Sequence, residues 1–232
     1  CVSSQVGCQI GCSFCATGQL GFKRNLTTGE IIGQVMVVMN RVGRIDNVVF
    51  MGMGEPLLNY NNVLKAVRTL IDEKGLNLSA RKITISTSGL ANQIKRLANE
   101  RMPITLALSL HAANNCLRNK LVPINKKYQI EELIAELKLY INKTGRKATI
   151  EYVLIKDIND SIEDAKELVQ ITRGLKCNIN LIPINKVAMN EYERPNKRAV
   201  QRFYSFLIQN GLEVVIREEK GSDIDAACGQ LI

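Results

Sequence analysis

The sequence predicts an α/β protein built as a partial (β/α)6 barrel, with parallel strands inside and helices outside. Three observations carry this. Short apolar runs rich in β-formers alternate with longer stretches of helical period, a pattern that calls for parallel pairing through crossover helices. Glycines fall near the ends of the helical stretches, at positions 75, 145, 174 and 211, where a left-handed cap favours them. The chain has 232 residues. A closed eight-stranded barrel usually takes ~250, so an open barrel of six units is the better fit.

The elements follow in order. A first strand is expected over residues 2–6. Thr27-Thr28-Gly29-Glu30 then reads as a capping box, because Thr27 can accept from the amide three residues on while Glu30 reaches back, and it starts a helix running to Asn40. Strands are expected over residues 47–51, 83–86, 104–110, 149–154 and 178–182, each a short run of β-branched and apolar residues. Helices are expected over residues 61–73, 91–99, 130–142, 161–172 and 197–209. No internal repeat, low-complexity tract or linker interrupts this order, so residues 1–232 are read as one domain.

Composition narrows the setting. Hydrophobic residues make up 46 % and charged residues 23 %, ordinary globular values, and no apolar run approaches the ~18 residues of a membrane span. A soluble protein is expected. Seven cysteines without a regular disulfide spacing point to a reducing compartment, the cytoplasm, where thiols serve metals or catalysis. Thirty-one Lys and Arg against twenty-two Asp and Glu give a net charge of +9. That suits either simple solubility or a polyanionic partner. Basic pairs recur at Lys23-Arg24, Arg81-Lys82, Lys126-Lys127, Arg146-Lys147 and Lys197-Arg198.

Cys8, Cys12 and Cys15 are spaced C-x-x-x-C-x-x-C, so one short loop can wrap three thiolates around one metal centre. A 4Fe-4S cluster normally takes four cysteines; three leave one iron open to a small molecule. Gly11 lets the backbone turn between ligands and Phe14 can shield the cluster from water. A structural zinc site is the alternative, and it would need a fourth ligand such as His111, the one histidine, or another cysteine.

In parallel α/β folds the site gathers at the carboxyl ends of the strands, and the polar candidates fall in that register. Gly52-Met53-Gly54-Glu55-Pro56 follows one strand, Ser86-Thr87-Ser88-Gly89 closes the next, Ser109-Leu110-His111 ends another, and Asn185 follows the last. Gly52 and Gly54 would let backbone approach a ligand, and Glu55 offers a carboxylate to a cation. Ser86 and Ser109 can bond a carboxylate or a ribose, or simply satisfy nearby backbone.

The opening Cys1-Val2-Ser3-Ser4-Gln5, the three-cysteine loop, Met51 to Pro56, Val122-Pro123-Ile124-Asn125-Lys126-Lys127-Tyr128, Asn180-Leu181-Ile182-Pro183, and Asp223 to Leu231 together span the chain. This set resembles the RlmN/Cfr family of radical SAM RNA adenine methyltransferases. The resemblance implies a radical SAM barrel that holds a 4Fe-4S cluster on Cys8, Cys12 and Cys15, uses two S-adenosylmethionine (SAM) molecules per turnover, and draws an electron from a donor such as flavodoxin. It implies SAM contacts at Gly54, Glu55, Ser86, Ser109, Leu110, His111 and Asn185, with Glu55 on the ammonium group.

It further implies that Cys228 takes a methyl group from one SAM, that a 5'-deoxyadenosyl radical from the second removes a hydrogen from that methyl, and that the methylene radical adds to the electron-poor adenine carbon. An electron is then lost, Cys1 removes the ring proton, and a Cys1–Cys228 disulfide forms as the protein–RNA bond breaks. Gly221 and Gly229 would give Cys228 its mobility. Glu55-Pro56 and Ser86-Thr87-Ser88-Gly89 look like the RlmN type, which methylates carbon 2 of an adenosine in ribosomal RNA and, in some members, transfer RNA; the Cfr type targets carbon 8. The family carries an accessory region and an acidic residue ahead of Cys1, neither found in these residues, and the chain is expected to be a monomer. Cys177 reads as packing and Cys116 matches no motif. A basic RNA-binding module with a structural metal is the competing class, distinguished by zinc in place of iron and sulfide.

Overall fold

The computed structural model describes residues 1–185, 191–217 and 227–231. A short ribbon of β1 (Gln5–Gly7) and β2 (Phe22–Asn25), paired antiparallel, precedes the main sheet. That sheet has six parallel strands in sequence order: β3 (Val48–Phe50), β4 (Ile83–Thr87), β5 (Thr105–Ser109), β6 (Ala148–Leu154), β7 (Cys177–Pro183) and β8 (Glu213–Ile216). The helices are α1 (Ala16–Gln19), α2 (Thr28–Val42), α3 (Tyr60–Ile71), α4 (Ala91–Asn99), α5 (Asn115–Leu121), α6 (Ile130–Thr144), α7 (Ile162–Thr172) and α8 (Lys197–Gln209).

Six parallel strands are present as expected, but their membership differs at both ends. The segment expected as the first parallel strand divides its work. Val2 runs along the outer edge of β3, donating to Val49 O at 2.9 Å and accepting from the Gly52 amide at 3.0 Å. The chain then leaves that edge, and β1 pairs with β2 instead. The sixth strand is β8, a four-residue edge strand with Val214 buried and Val215 exposed. An edge strand needs to bury only one face, so Glu213-Val214-Val215-Ile216 lacks the long apolar run that marks an inner strand. In β6, by contrast, all seven residues are buried.

The helices obey their sequence signals closely. Thr27 and Glu30 form the reciprocal capping box, the Glu30 amide donating to Thr27 Oγ1 at 3.2 Å and the Thr27 amide to Glu30 Oε2 at 2.8 Å. Along α3 the buried residues Tyr60, Val63, Leu64, Val67 and Leu70 fall at three- and four-residue steps, one stripe facing the sheet. Helix α6 does the same with Ile130, Leu133, Ile134, Leu137 and Ile141, and ends on Gly145 in the left-handed conformation, φ 67°. Each such Leu or Ile contributes ~1.5–3 kcal/mol through burial. Helix α5 was not expected. It has seven residues, too few to show a period, and starts at Asn114, whose side chain accepts from the Leu117 amide at 2.8 Å.

Among the described residues no helix is long and apolar enough to cross a membrane.

Candidate active site

The carboxyl ends of β3 to β7 and the loops beyond them open onto one cleft of about 970 Å³, counting the space at its mouth. Cys8, Cys12 and Cys15 all line it. Their loop is held by backbone bonds on three sides. The Cys8 amide donates to Gly21 O at 3.0 Å, the Ser13 amide to Leu121 O at the end of α5 at 3.1 Å, and the Ala16 amide at the start of α1 to Gly229 O at 2.8 Å. Gly11 has φ 70° with open space where a Cβ would stand, so it serves the turn and not a close approach. Phe14 packs edge-on against the His111 ring, centroids 4.8 Å apart at 76°, closing one wall.

As free thiols Cys8 and Cys12 resist ionisation. Burial pushes Cys12 well above the ordinary thiol range, and negative charge on Cys15 and Cys8 would push it further. Burial raises Cys8 to about 11, with Glu55 and Cys15 adding to the rise. A cationic metal centre reverses that balance, because thiolates bound to metal no longer stand unpaired. Among the described residues no three His, Cys, Asp or Glu side chains converge on the position of a single ion. Three cysteines lining one cleft are instead the thiolate donor set that a 4Fe-4S cluster takes, one short of the usual four.

Glu55 is 2 % exposed. Its Oε1 accepts from the Leu57 amide at 3.0 Å and its Oε2 from the Ser88 amide at 2.7 Å. Burial raises its pKa, opposed by those two amides. No basic side chain among the described residues forms an ion pair with it. A buried carboxylate oriented by two amides and facing a cleft is a receptor for a cation such as an ammonium group.

The glycines on either side of Met53 also serve the packing of the chain. A Cβ on Gly52 would meet Val2 O at 2.7 Å, and one on Gly54, φ 93°, would meet Gln5 Cβ at 2.4 Å. They let the turn lie flat against residues 2–5, and Gln5 Oε1 accepts from the Glu55 amide at 2.9 Å in return. Both glycines also line the cleft.

Ser86 and Ser109 end adjacent strands with their hydroxyls 3.1 Å apart, both on the cleft wall. His111 is there too. Its Nδ1 accepts from the Val153 amide at 3.1 Å, which places the ring proton on Nε2, and burial, with the Arg118 charge adding, pushes its pKa down to about 3. It is a neutral ring fixed in place by the bond at Nδ1. Leu110 stands apart from the other candidates: it is fully buried in the core, its amide bonded to Glu151 O and its carbonyl to Arg118 Nε, and it does not line the cleft.

Asn185 lines the cleft and donates through Nδ2 to Cys228 O at 3.0 Å. Cys228 is an exposed free thiol on the same cleft, so the structure brings together the two ends of the sequence pattern. Residues 227–231 are latched to α1 by the Ala16 amide on Gly229 O and the Thr17 hydroxyl on Leu231 O at 2.5 Å. Cys1 is an exposed free thiol beside the β3 edge and is not part of the cleft lining. Gly221 and the Asp223 to Ala226 part of the last motif lie outside the described residues. Cys177 is buried at the start of β7, and Cys116 is exposed on α5.

Two features escaped the sequence reading. Arg118 on α5 is wholly buried and donates to Leu110 O at 2.9 Å, Asn125 Oδ1 at 2.8 Å, Ser88 O at 2.5 Å and Ser109 O at 3.1 Å. It clamps the ends of β4 and β5 that carry the Ser88 amide and the Ser109 hydroxyl. Nothing local in Leu117-Arg118-Asn119-Lys120 distinguishes it from a solvated helix charge. Glu151, on β6, is 3 % exposed and also lines the cleft. Here a signal existed, since a carboxylate amid the apolar run of an inner strand is rarely structural.

Residues 2–169 match the Radical SAM superfamily. The probable dual-specificity RNA methyltransferase RlmN of Thermotoga neapolitana is 52 % identical over all 232 residues, which span 67 % of its length. The protein of the same description from Clostridium novyi is 50 % identical, with 68 % of its length spanned. The crystal structure of a radical SAM methyltransferase from Sphaerobacter thermophilus superposes with a TM-score of 0.97 at 50 % identity, covering 99 % of this chain and 69 % of that one. SuiB of Streptococcus suis, solved with S-adenosylmethionine, shares the fold at 17 % identity, with a TM-score of 0.69 over 98 % of this chain and 55 % of its own. The chain belongs to the radical SAM superfamily and, within it, to the RlmN family of radical SAM methyltransferases.

Proposed function

We propose that this radical SAM RNA methyltransferase places a methyl group on carbon 2 of an adenosine in large-subunit ribosomal RNA, with transfer RNA as a second substrate class, through a methylated Cys228. The observation that carries the reading is the single cleft shared by Cys228, Glu55 and the three cysteines of the loop. Carbon 2 of adenine lies between two ring nitrogens and is electron-poor, so it cannot displace a methyl from SAM as a nucleophile would. The methyl must first rest on a carrier.

Cys8, Cys12 and Cys15 would hold the 4Fe-4S cluster, and Glu55 the ammonium group of SAM. When bound, these groups supply a methyl and a radical able to take hydrogen from an S-methyl. Cys228 suits the carrier role: its peptide is fixed by Asn185 and by the latch on α1, while its thiol stays exposed. Gly54, Ser86, Ser109, His111 and Asn185 would complete the SAM pocket, with Leu110 contributing only by holding the strand end. Once the odd-electron adduct has given up one electron, Cys1 would take the ring proton; its sulfur would then pair with Cys228 in a disulfide as the sulfur–carbon bond to RNA breaks and the released carbon takes up a proton.

Arg24, Lys82 and Lys147 are offset by Glu30, Asp46 and Glu213, which turns attention to Lys126-Lys127 and Lys197-Arg198 as phosphate contacts. The enzyme would act as a cytoplasmic monomer with an electron donor such as flavodoxin. Mass spectrometry of nucleosides from RNA treated with the iron-loaded protein tests the reading. 2-Methyladenosine is expected, 8-methyladenosine would reassign the protein to the Cfr type, and unmodified RNA from a brown, active-cluster preparation would overturn it.

A further inference from the structure

Beyond the predicted SAM contacts, the inner face of the sheet carries a second polar row. Cα partners in register place Ser109, Glu151 and Asn180 side by side across β5, β6 and β7. Asn180 Nδ2 donates to Glu151 Oε1 at 2.9 Å. Among the described residues Glu151 Oε2 has no hydrogen-bond partner, although the residue is 3 % exposed. Among the described residues its ion-pair partner is Arg217, with Nη1 3.7 Å away, too far for a hydrogen bond.

Arg217 follows β8, its amide bonded to Leu181 O at 2.8 Å, and its Nη1 reaches to 3.5 Å from Met51 Sδ at the end of β3. The guanidinium thus spans the lumen between the last strand and the first. Glu151 and Arg217 both line the cleft, beside the apolar side chains of Val153, Ile182 and Ile184.

A buried carboxylate oxygen without a partner seeks a donor, and the adjacent guanidinium offers donors to an acceptor. Flanked by an apolar wall, the two ask for a flat group with a donor next to an acceptor on one edge. Adenine has that edge, with its exocyclic amine beside ring nitrogen 7.

We propose that Glu151 and Arg217 are specificity-determining residues that read this edge of the target adenine, the carboxylate accepting from the amine and the guanidinium donating to nitrogen 7. The inference rests on the RNA methyltransferase reading above and deepens it. Gripping this edge leaves carbon 2, on the opposite side of the ring, free to face the methyl carrier. It also covers the neighbourhood of carbon 8, so the pair explains regiochemistry as well as base choice. The adenine of SAM presents the same edge, and the experiment separates the two sources.

The test compares cluster-loaded wild type, Glu151→Gln and Arg217→Met on RNAs carrying adenosine, purine riboside or 7-deazaadenosine at the target position. Wild type should favour adenosine over each analogue by about ten- to a hundredfold in kcat/KM, the worth of one charged hydrogen bond. Glu151→Gln should lose only the preference over purine riboside, and Arg217→Met only that over 7-deazaadenosine. Competition binding of the same RNAs gives these ratios where turnover is too slow to measure. Preferences in the variants equal to those of wild type overturn the proposal. So does a loss of SAM affinity by calorimetry with base preference intact, which would assign the pair to the cofactor's adenine. Failure of wild type to methylate adenosine RNA would instead strike the parent reading, while the binding ratios still judge the pair.

Discussion

Replacing Glu55 by Gln isolates the charge at the centre of the proposed SAM pocket. Glu55 accepts one amide on each oxygen, at 3.0 and 2.7 Å. Gln keeps the shape but replaces one acceptor by an NH2 group that must face an amide donor, so one of the two bonds is lost and a buried donor is left opposed. That costs ~1–3 kcal/mol of stability before any ligand is present. For a domain of this size each kcal/mol lowers Tm by ~2–4 °C. The ligand loses the charged half of an ammonium–carboxylate bond, ~1.5–3 kcal/mol, or roughly ten- to a hundredfold in Kd. Both numbers are measurable on one sample: calorimetry of SAM with cluster-loaded protein, and thermal melting without SAM. A Tm drop with unchanged SAM affinity would show that Glu55 merely ties β3 to β4. Unchanged Tm and affinity together would refute both roles.

Three further outcomes are expected. Ala at Cys8, Cys12 or Cys15 should abolish stable iron binding and 5'-deoxyadenosine formation; a normal cluster spectrum in all three variants would remove the loop from the metal site. Cys228→Ala should abolish protein methylation and all product, whereas Cys1→Ala should still be methylated at Cys228 yet accumulate an RNA–protein adduct, seen as a slow, ribonuclease-sensitive band on denaturing gels. Released methylated RNA without that band would exclude Cys1 from resolving the adduct. Because burial raises the Glu55 pKa, the folded state binds the proton more tightly than the unfolded chain. Its contribution to stability is therefore complete at low pH and lost as pH rises through the elevated pKa. Denaturant unfolding of metal-free protein should show the advantage of wild type over Glu55→Gln shrinking as pH climbs from ~4.5; a growing advantage would contradict the burial effect.

Most of this architecture was legible because the elements that hold it together are periodic. Helices α4 and α8 begin and end where their apolar spacing says they should, at Ala91–Asn99 and Lys197–Gln209. The three-cysteine loop stood out by its spacing, C-x-x-x-C-x-x-C, and its three cysteines do line one cleft. What stayed hidden depends on partners far along the chain. β1 left the sheet because Leu26 and Asn59 secure Ser4 elsewhere: the Leu26 amide donates to Ser4 O at 3.0 Å, and Asn59 Nδ2 donates to both Ser4 O at 2.8 Å and Leu26 O at 2.7 Å. Arg118 is recognisable only once α5 is seen packed beneath two strand ends. Gly54 reads as a ligand-facing glycine and does line the cleft, but its missing Cβ also makes room for Gln5, 49 positions away in sequence.

The latch between the last described residues and α1 has a consequence for assembly. The Gly229 carbonyl takes the first amide of the helix that begins directly after Cys15, and Asn185 holds the Cys228 carbonyl on the other side. Whatever free energy orders the three-cysteine loop therefore also favours the seated position of the Cys228 peptide, and linkage makes the effect reciprocal. If the loop holds the cluster and Cys228 carries the methyl group, as proposed, iron loading and carrier readiness would be coupled. A protein short of iron would then hold its carrier more loosely, and seating the carrier would tighten the grip on the metal.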